Sequence, residues 1–490
     1  MCQGGNNRNG LGKNSCKPVE QAESHEKPHA SRIGGKKPNG KCHMNKTFYS
    51  SAIALFIFST GAGAQPQWQI HEWGTFTSLQ DESGQALGGI NTDDEPVPKF
   101  VHGVHLAIQP HTDFPQVGGK GLAFCHPDVT MRLETPVIYF HPPPGAADGQ
   151  TAEVRVKFRG GWLTEFYPDA VSDAPAQTNG VFQFVPLGSD TEGNLEWDNL
   201  QIGGDWPLTN TTAHVWTSPR DVQAARVHTA DGESEKFLFY RGVGHMDAPL
   251  KVSWSDDGSQ LLFRSQLENL PTDRPPEIHA MWLVDIRADG EIAFRSLGPV
   301  PFSHDSKELL LGTTASFAEA KYSTANFTKL KDSLKAALVS EGLFDDEAQA
   351  LLKTWEVSYF KSPGMRVFFL CPRAWTDYYL PLQISLPAQI NRVMVGRIEL
   401  VTPEQREKLR KLAAFSPWVI QEQGLKWLAL WRVSLNHTPE TYQTYLDLGR
   451  FRNALVLDEE KKWPTPGLAR FMALYHLRPF SLATPVTAKN

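Results

Sequence analysis

The chain has 490 residues, of which 40% are hydrophobic and 11% aromatic, and its formal net charge is −6. This length and composition suffice for a large hydrophobic core. The first 64 residues hold nine of the 48 basic residues and three of the 54 acidic ones, so the remainder has a net charge of −12. The basic footprint of nucleic-acid-binding proteins is therefore missing, which excludes nucleic acid as an expected partner.

An export signal is predicted near the N-terminus. Met44 opens a short basic segment, an apolar run follows at residues 52–58, and small residues end at Ala64. This order is typical of a secretory signal peptide that is cleaved after Ala64. We interpret residues 1–43 as a non-native or disordered extension and residues 44–64 as the signal peptide. No apolar run reaches the roughly 20 residues that span a bilayer, so we expect a periplasmic or secreted protein without a membrane span.

The first ordered element after the signal is predicted to be a strand at residues 68–79. Its aromatic and β-branched residues suit a pleated, half-buried surface. Alternation on a strand would place His71 and Trp73 on one face and Glu72 and Phe76 on the other. An imidazole beside a carboxylate suggests a catalytic or metal-binding site. The alternative is a core strand whose polar groups bond to neighbouring backbone.

Short strand patterns separated by turns continue to residue 311. One of them, at residues 129–141, contains Pro136, which indicates an edge strand or a bulge. Pairs of apolar runs flank the Asp-Gly sequences at 231–232, 257–258 and 289–290. Asp-Gly between such runs is the strongest local signal for a hairpin. Residues 65–311 are therefore predicted to form a β-sandwich-like domain.

The composition changes near Gly312, after which helical and strand patterns alternate. Helical spacing occurs at 317–338, 345–355, 440–460 and 467–477, and strand patterns occur at 366–371 and 392–401. Thr402 as N-cap, Pro403 at the first helical position and Gln405 three residues after the cap predict a further helix start. We predict an α+β C-terminal domain at residues 312–490, in a chain that is mainly β.

Two cysteines, Cys125 and Cys371, follow the predicted signal peptide. In an oxidising compartment they have one possible pairing, so a disulfide is one expectation. Two buried free thiols are the other.

Several familiar catalytic motifs are absent from the sequence. It has no Gly-x-Ser-x-Gly, His-Glu-x-x-His, Walker, Gly-x-Gly-x-x-Gly or Cys-x-x-Cys sequence. The common exported hydrolases and dinucleotide-binding enzymes are therefore poor candidates.

Histidines concentrate between residues 102 and 141, downstream of His71 and Glu72. Imidazoles and carboxylates are preferred ligands of divalent transition metals, and a catalytic site needs three ligands and an open position. We hypothesise that His71 and some of a second group hold such a metal, and that Glu72 is the general base toward its bound water. That second group consists of His102, His105, His111 and His126. The alternative is that these histidines are scattered surface and capping residues.

Carboxylates beside aromatic residues suggest a rival site. Glu72, Glu134 and Glu165 have this setting. Two of them could act as acid and base on a glycosidic bond. Alternatively, they form ordinary cross-strand ion pairs with arginines, for which the candidates are Arg132, Arg155 and Arg159.

Four segments resemble blocks of an uncharacterised family of secreted bacterial proteins. They are His-Glu-Trp-Gly-Thr-Phe-Thr at 71–77, Glu-Thr-Pro-Val-Ile-Tyr-Phe at 134–140, Phe-Leu-Phe-Tyr-Arg-Gly at 237–242 and Arg-Val-Met-Val-Gly-Arg-Ile-Glu at 392–399. The resemblance implies export and no particular activity. Two functional hypotheses therefore stand. One is a metal-assisted hydrolase, and the other is a non-catalytic glycan- or protein-binding module of the cell envelope that uses exposed Trp and Tyr.

Overall fold

A computed structural model describes residues 67–92, 95–104, 126–174, 187–266, 270, 276–301, 303, 305, 307–430, 438–475 and 477, without the side chains of 426–430. All of these residues belong to one compact unit, Ala64–Asn490. The interpreted extension at 1–43 and the signal peptide at 44–64 lie outside the described residues and stay predictions.

The strands of the described chain lie between residues 68 and 400. They are β1 (Trp68–Gln80), β2 (His102–Gly103), β3 (Met131–His141), β4 (Gln150–Arg159), β5 (Gly161–Tyr167), β6 (Val171–Ser172), β7 (Glu192–Ile202), β8 (Val227–His228), β9 (Ser234–Glu235), β10 (Leu238–Gly244), β11 (Leu250–Trp254), β12 (Gln260–Ser265), β13 (Glu277–Ile278), β14 (Met281–Ile286), β15 (Ile292–Ser296), β16 (Val300–Pro301), β17 (Leu309–Thr314), β18 (Gly364–Leu370), β19 (Leu382–Ile384) and β20 (Ala388–Leu400).

Helices concentrate in the C-terminal region. They are α1 (His214–Arg220), α2 (Asn326–Ser340), α3 (Asp345–Thr354), α4 (Arg373–Tyr379), α5 (Pro403–Ala414), α6 (Pro417–Leu430), α7 (Glu440–Leu446), α8 (Arg452–Lys462) and α9 (Pro466–Leu474). A 3-10 helix (Glu319–Lys321) precedes α2, and a π-helix (Glu356–Lys361) follows α3.

One large mixed sheet organises the molecule. Its main path runs β15-β14-β18-β20-β1-β3-β10-β5-β7-β4-β19, and β11, β12 and β17 form a separate sheet. β1 lies near the centre, parallel to β20 and antiparallel to β3. The predicted mainly β class with a helical C-terminal region is confirmed. The four segments that carry the family resemblance lie on β20, β1, β3 and β10, which are consecutive neighbours in this sheet.

The strand predicted at the start of the mature chain is confirmed as β1, and all of its residues except Gln69 are buried. Ile70 and Phe76 pack into one hydrophobic cluster, while Trp73 packs into another. This difference follows from the alternation of side chains along a strand. His71 and Glu72 are therefore presented to opposite faces of the sheet.

A bulge interrupts the pairing of β1 with β3 between Trp73 and Thr75. A Cβ at Gly74 would lie 2.9 Å from the Pro136 Cα atom, so only glycine fits at this close approach. Because β3 has neighbours on both sides, Pro136 marks a bulge and not an edge strand.

Hairpins are present at all three predicted Asp-Gly turns, and they connect β8 with β9, β11 with β12, and β14 with β15. In the first hairpin, the prediction that the apolar run at 237–240 forms the second strand is wrong, because β9 pairs with β8, and β10 pairs with β3 and β5. Gly232, Gly258 and Gly290 have φ values of +91°, +69° and +85°. These lie in the left-handed region that glycine adopts without a steric cost, which is why Asp-Gly favours the turns.

The predicted start of α5 is confirmed by reciprocal capping. The Gln405 N–H donates to the Thr402 hydroxyl at 3.2 Å, and the Thr402 N–H donates to Gln405 Oε1 at 3.0 Å. The single helix predicted at 440–460 is wrong, because α7 ends at Leu446 and α8 begins at Arg452. Gly449, with a φ of +84°, lies in the turn that separates them.

The predicted division at residues 311 and 312 falls inside a strand, β17. Strands from both sides of that position also share the large sheet, since β18 and β20 connect β14 to β1. The two predicted regions are therefore parts of one compact unit. The helices from α5 onward surround a further hydrophobic cluster, which includes Leu79 of β1 and Leu409 of α5.

Two further predictions concern the membrane and the cysteines. Within the described ranges, no helix has the length and apolar character needed to cross a membrane. Cys371 follows β18 directly and is partly buried. Cys125 lies outside the described residues, so the disulfide stays a prediction.

Candidate metal site

Three buried side chains that could bind a metal ion lie together: His71 on β1, His141 on β3 and Glu347 on α3. Each offers one ligand atom, and these atoms lie within 4.8 Å of one another. Two imidazoles and one carboxylate form a ligand set that both zinc enzymes and non-haem iron enzymes use. The cluster therefore has the composition of a catalytic metal site.

Strand pairing brings the two histidines together. On the antiparallel pair β1 and β3, Gln69 lies opposite His141 and His71 lies opposite Tyr139. His71 and His141 are thus diagonal neighbours on one face of the sheet, within the range at which cross-strand side chains interact. Their ring centroids are 5.0 Å apart.

The N-terminus of α3 supplies the carboxylate. Glu347 is the third residue of this helix, and its Oε2 accepts the backbone N–H of Phe344 at 2.7 Å. This is the usual role of a glutamate at that position of a capping box. The cap holds the carboxylate against the sheet, where it meets both imidazoles.

The groups around His141 determine which of its ring nitrogens carries a hydrogen. His141 Nδ1 lies 3.0 Å from the carbonyl oxygen of Gln223, and a carbonyl only accepts, so Nδ1 carries a hydrogen. In a neutral imidazole the Nε2 atom then has a lone pair. That Nε2 atom lies 2.9 Å from Glu347 Oε1, which is itself an acceptor when ionised. A proton or a bound cation between these two atoms would satisfy both of them.

The two imidazoles lower the pKa of the Glu347 carboxyl. Burial acts to raise the pKa of this carboxyl, but hydrogen bonds from His141 and His71 outweigh it, and the net effect lowers the pKa. The second of these bonds joins His71 Nδ1 to Glu347 Oε2 at 2.8 Å. The atoms Oε1 and Nε2 therefore share either a proton or a bound cation.

The cluster lies just below the surface. The Glu347 side chain is fully buried, whereas the side chains of His71 and His141 are 6% and 10% exposed. The Phe344 ring packs on both imidazoles, with centroid distances of 4.5 and 4.7 Å, and is itself 40% exposed.

Of the ligands predicted from the sequence, the structure places only His71 in this cluster, in the part of the chain that it describes. His102 is half-buried on β2, and its Nε2 lies 2.8 Å from Glu233 Oε1. His126 is fully buried, its backbone N–H donates to Asn91, and burial lowers the pKa of its imidazole. His105 and His111 lie outside the described residues.

Glu72 lies on the opposite face of β1. Its carboxylate is fully buried, forms an ion pair with Arg392 and accepts the hydroxyl of Tyr240. Arg392 also contacts Asp377 at 2.9 Å. This position separates Glu72 from the His71 imidazole by the thickness of the sheet, so the metal site does not include it.

Sequence reasoning did not select His141 or Glu347 as ligands. The signal for His141 was its place on the predicted strand at 129–141, which pairs with the strand that carries His71. The sequence around Glu347 indicates only a helix start, because an acidic residue at the third helical position is common there.

The carboxylates of the rival glycosidase site are paired with arginines. Glu134 Oε2 lies 3.1 Å from Arg132 Nη2, and Glu165 forms an ion pair with Arg241. Arg155 and Arg159, the other predicted partners, instead contact Glu196 and Glu192 near the surface. These contacts favour the ion-pair interpretation over an acid–base pair.

Arginines also converge on the π-helix. The Ser358 carbonyl accepts hydrogen bonds from Arg366, Arg397 and Arg450 at 3.4, 3.2 and 3.1 Å. The Ser358 N–H donates to Glu95 at 2.8 Å. Since Arg366 and Arg397 lie on β18 and β20 and Arg450 precedes α8, these bonds link the C-terminal helices to the sheet. We interpret this arrangement as structural.

Comparisons with known proteins identify no family. No family model matches the chain, and no curated protein matches it. Among solved structures, the chain is similar to the Fcho1 Mu homology domain from Danio rerio with bound Eps15 peptide. The identity is 10%, the match covers 69% of this chain and 94% of that one, and the TM-score is 0.21. A likeness this low carries no argument about function.

Proposed function

We propose that the protein is a metal-assisted hydrolase whose divalent transition metal is bound by His71, His141 and Glu347. The observation that carries the proposal is the Gln223 carbonyl on His141 Nδ1, which leaves Nε2, directed at Glu347 Oε1, as the ring nitrogen available to a metal. A carbonyl or carboxylate on the outer nitrogen is the usual companion of a metal-binding histidine. His71 would bind through Nδ1 and His141 through Nε2.

The spacing of the ligand atoms supports a metal. Bonds of about 2.0 to 2.2 Å in tetrahedral geometry place ligand atoms roughly 3.3 Å apart. His71 Nδ1 lies 2.8 Å from Glu347 Oε2 and His141 Nε2 lies 2.9 Å from Oε1, and one ligand atom from each of the three residues lies within 4.8 Å of the others, so the side chains would converge further around the ion. Three protein ligands leave the fourth position for water or substrate, as in catalytic zinc sites.

Each group would have a defined task in hydrolysis. The bound metal would polarise a substrate carbonyl or phosphoryl oxygen and lower the pKa of water to about 7. Glu347 would supply the negative charge that offsets the cation, and its cap on Phe344 would fix its direction. The exposed Phe344 ring would contact substrate. The proposal gives Glu72 no role as a base, because Arg392 and Tyr240 occupy its carboxylate.

Hydrolytic activity of the full chain tests the proposal. We expect protein loaded with Zn²⁺, Mn²⁺ or Fe²⁺ to hydrolyse at least one member of a panel of p-nitrophenyl esters, phosphates and glycosides. Chelation and Glu347→Gln should each reduce the rate to background, because both remove the bound ion.

The control is Glu341→Gln, which changes a carboxylate upstream of α3 that contacts His279 instead. Loaded protein that hydrolyses none of the panel above the Glu347→Gln background would contradict the hydrolase assignment. A metal-free protein that binds glycans would favour the binding module instead.

A further inference from the structure

The backbone of residue 223 is itself held by a side chain of α3. The Gln223 N–H donates to Asp346 Oδ2 at 2.9 Å, and the carbonyl of the same residue accepts from His141 at 3.0 Å. The other oxygen of Asp346, Oδ1, accepts the backbone N–H of Glu347 at 3.0 Å. One carboxylate therefore contacts both the loop that orients His141 and the residue that supplies the acidic ligand.

We propose that Asp346 is a positioning residue of the metal site, which sets the geometry of two ligands without binding the metal. This inference rests on the proposed metal site. Asp346 fixes the segment that follows α1 relative to the N-terminus of α3. The Gln223 carbonyl is thereby kept on His141 Nδ1, and His141 Nε2 is kept directed at Glu347.

The physical basis is pre-organisation. An ionised carboxylate that accepts two backbone N–H groups forms charge-assisted bonds, which are shorter and stronger than neutral ones. Without them, residue 223 can move, and the imidazole loses the acceptor that fixes its tautomer. Loss of such an outer partner typically costs about 10- to 100-fold in metal affinity.

The adjacent residue provides a matched control. Asp345 belongs to the same first turn and has the same charge, but its carboxylate is 80% exposed and contacts Lys335 at 2.8 Å. Asp345→Ala and Asp346→Ala change the net charge and the helix N-terminus in the same way. Only Asp346→Ala removes the bond to residue 223.

Zn²⁺ dissociation constants, measured by competition with a chelator, and the visible spectrum of the Co²⁺-loaded full chain test this role. We expect Asp346→Ala to weaken Zn²⁺ binding by roughly 10- to 100-fold and to change the Co²⁺ spectrum. Asp345→Ala should stay within about twofold of the unchanged protein, as expected for an exposed ion pair. Asp346→Asn, whose amide oxygen accepts one of the two N–H groups, should lie between them.

The outcomes separate the two proposals. Equal affinities and equal spectra for Asp346→Ala and Asp345→Ala, with tight binding in both, would overturn the positioning role and leave the metal site intact. Absence of Zn²⁺ and Co²⁺ binding by the unchanged protein would overturn the site itself. If Asp346→Ala fails to fold, Asp346→Asn decides: affinity and spectrum like those of Asp345→Ala would overturn the role.

Discussion

Arg392→Met is expected to lower the free energy of unfolding by about 3 to 5 kcal/mol, because it leaves a buried charge without its cation. The Glu72 and Arg392 side chains are 0% and 1% exposed, and they join the adjacent strands β1 and β20. After the substitution, the carboxylate keeps only the Tyr240 hydroxyl as a described partner. Unfolding of the full chain in urea measures the loss.

Two comparisons show whether burial causes this effect. Lys157→Met removes an ion pair with Glu192 in which both side chains are more than 40% exposed, so it should cost no more than about 1 kcal/mol. Adding Glu72→Gln to Arg392→Met removes the isolated charge and should recover part of the stability. A loss below about 1 kcal/mol for Arg392→Met would mean that the pair is not buried as described.

His141→Ala is expected to abolish stabilisation by metal. A ligand at 100 times its dissociation constant stabilises the folded state by about 2.7 kcal/mol when the unfolded chain does not bind it. The unchanged protein should show a gain of this size with Zn²⁺. His141→Ala should show almost none, since it removes one of three ligands and the partner of Glu347 Oε1. Urea unfolding with and without Zn²⁺ measures the difference.

His102→Ala is the informative comparison for this experiment. The sequence predicted His102 as a ligand, whereas the structure places it beside Glu233, on a two-residue strand paired with β5. His102→Ala should therefore keep the full gain from Zn²⁺. The reverse pattern, with the gain lost in His102→Ala and kept in His141→Ala, would return the site to the histidines predicted from the sequence.

Local features of the fold could be predicted because their causes lie within a few residues. The Asp-Gly turns require glycine at positive φ, and the Thr402 cap needs only Gln405 three residues later. β1 was predictable because aromatic and β-branched residues suit a buried strand. Each of these signals is complete in a short stretch of sequence.

Features that depend on distant partners were missed. Nothing near residue 312 indicates that β18 and β20 join the sheet that contains β1, since strand patterns do not specify which strands pair. The turn between α7 and α8 contains Gly449 at positive φ, inside an otherwise helical pattern.

The ligands of the metal site were also missed where they depend on partners that are distant in sequence. His71 was selected because of its neighbour Glu72, yet strand alternation places these two side chains on opposite faces. Its actual partners lie 70 and 276 residues further along the chain, at His141 and Glu347. His141 becomes predictable once the two strands are paired in register. Glu347 required knowledge of how α3 packs on the sheet.

Elemental analysis of the purified full chain, after exposure to Zn²⁺, Mn²⁺ and Fe²⁺ and removal of unbound ions, is the most direct test of the metal site. We predict about one equivalent of a divalent transition metal per chain, as three protein ligands and one open position hold a single ion. Glu347→Gln and His141→Ala should retain almost none. A correctly folded protein without metal would contradict the account, since a proton on His141 would then occupy the position between Nε2 and Glu347.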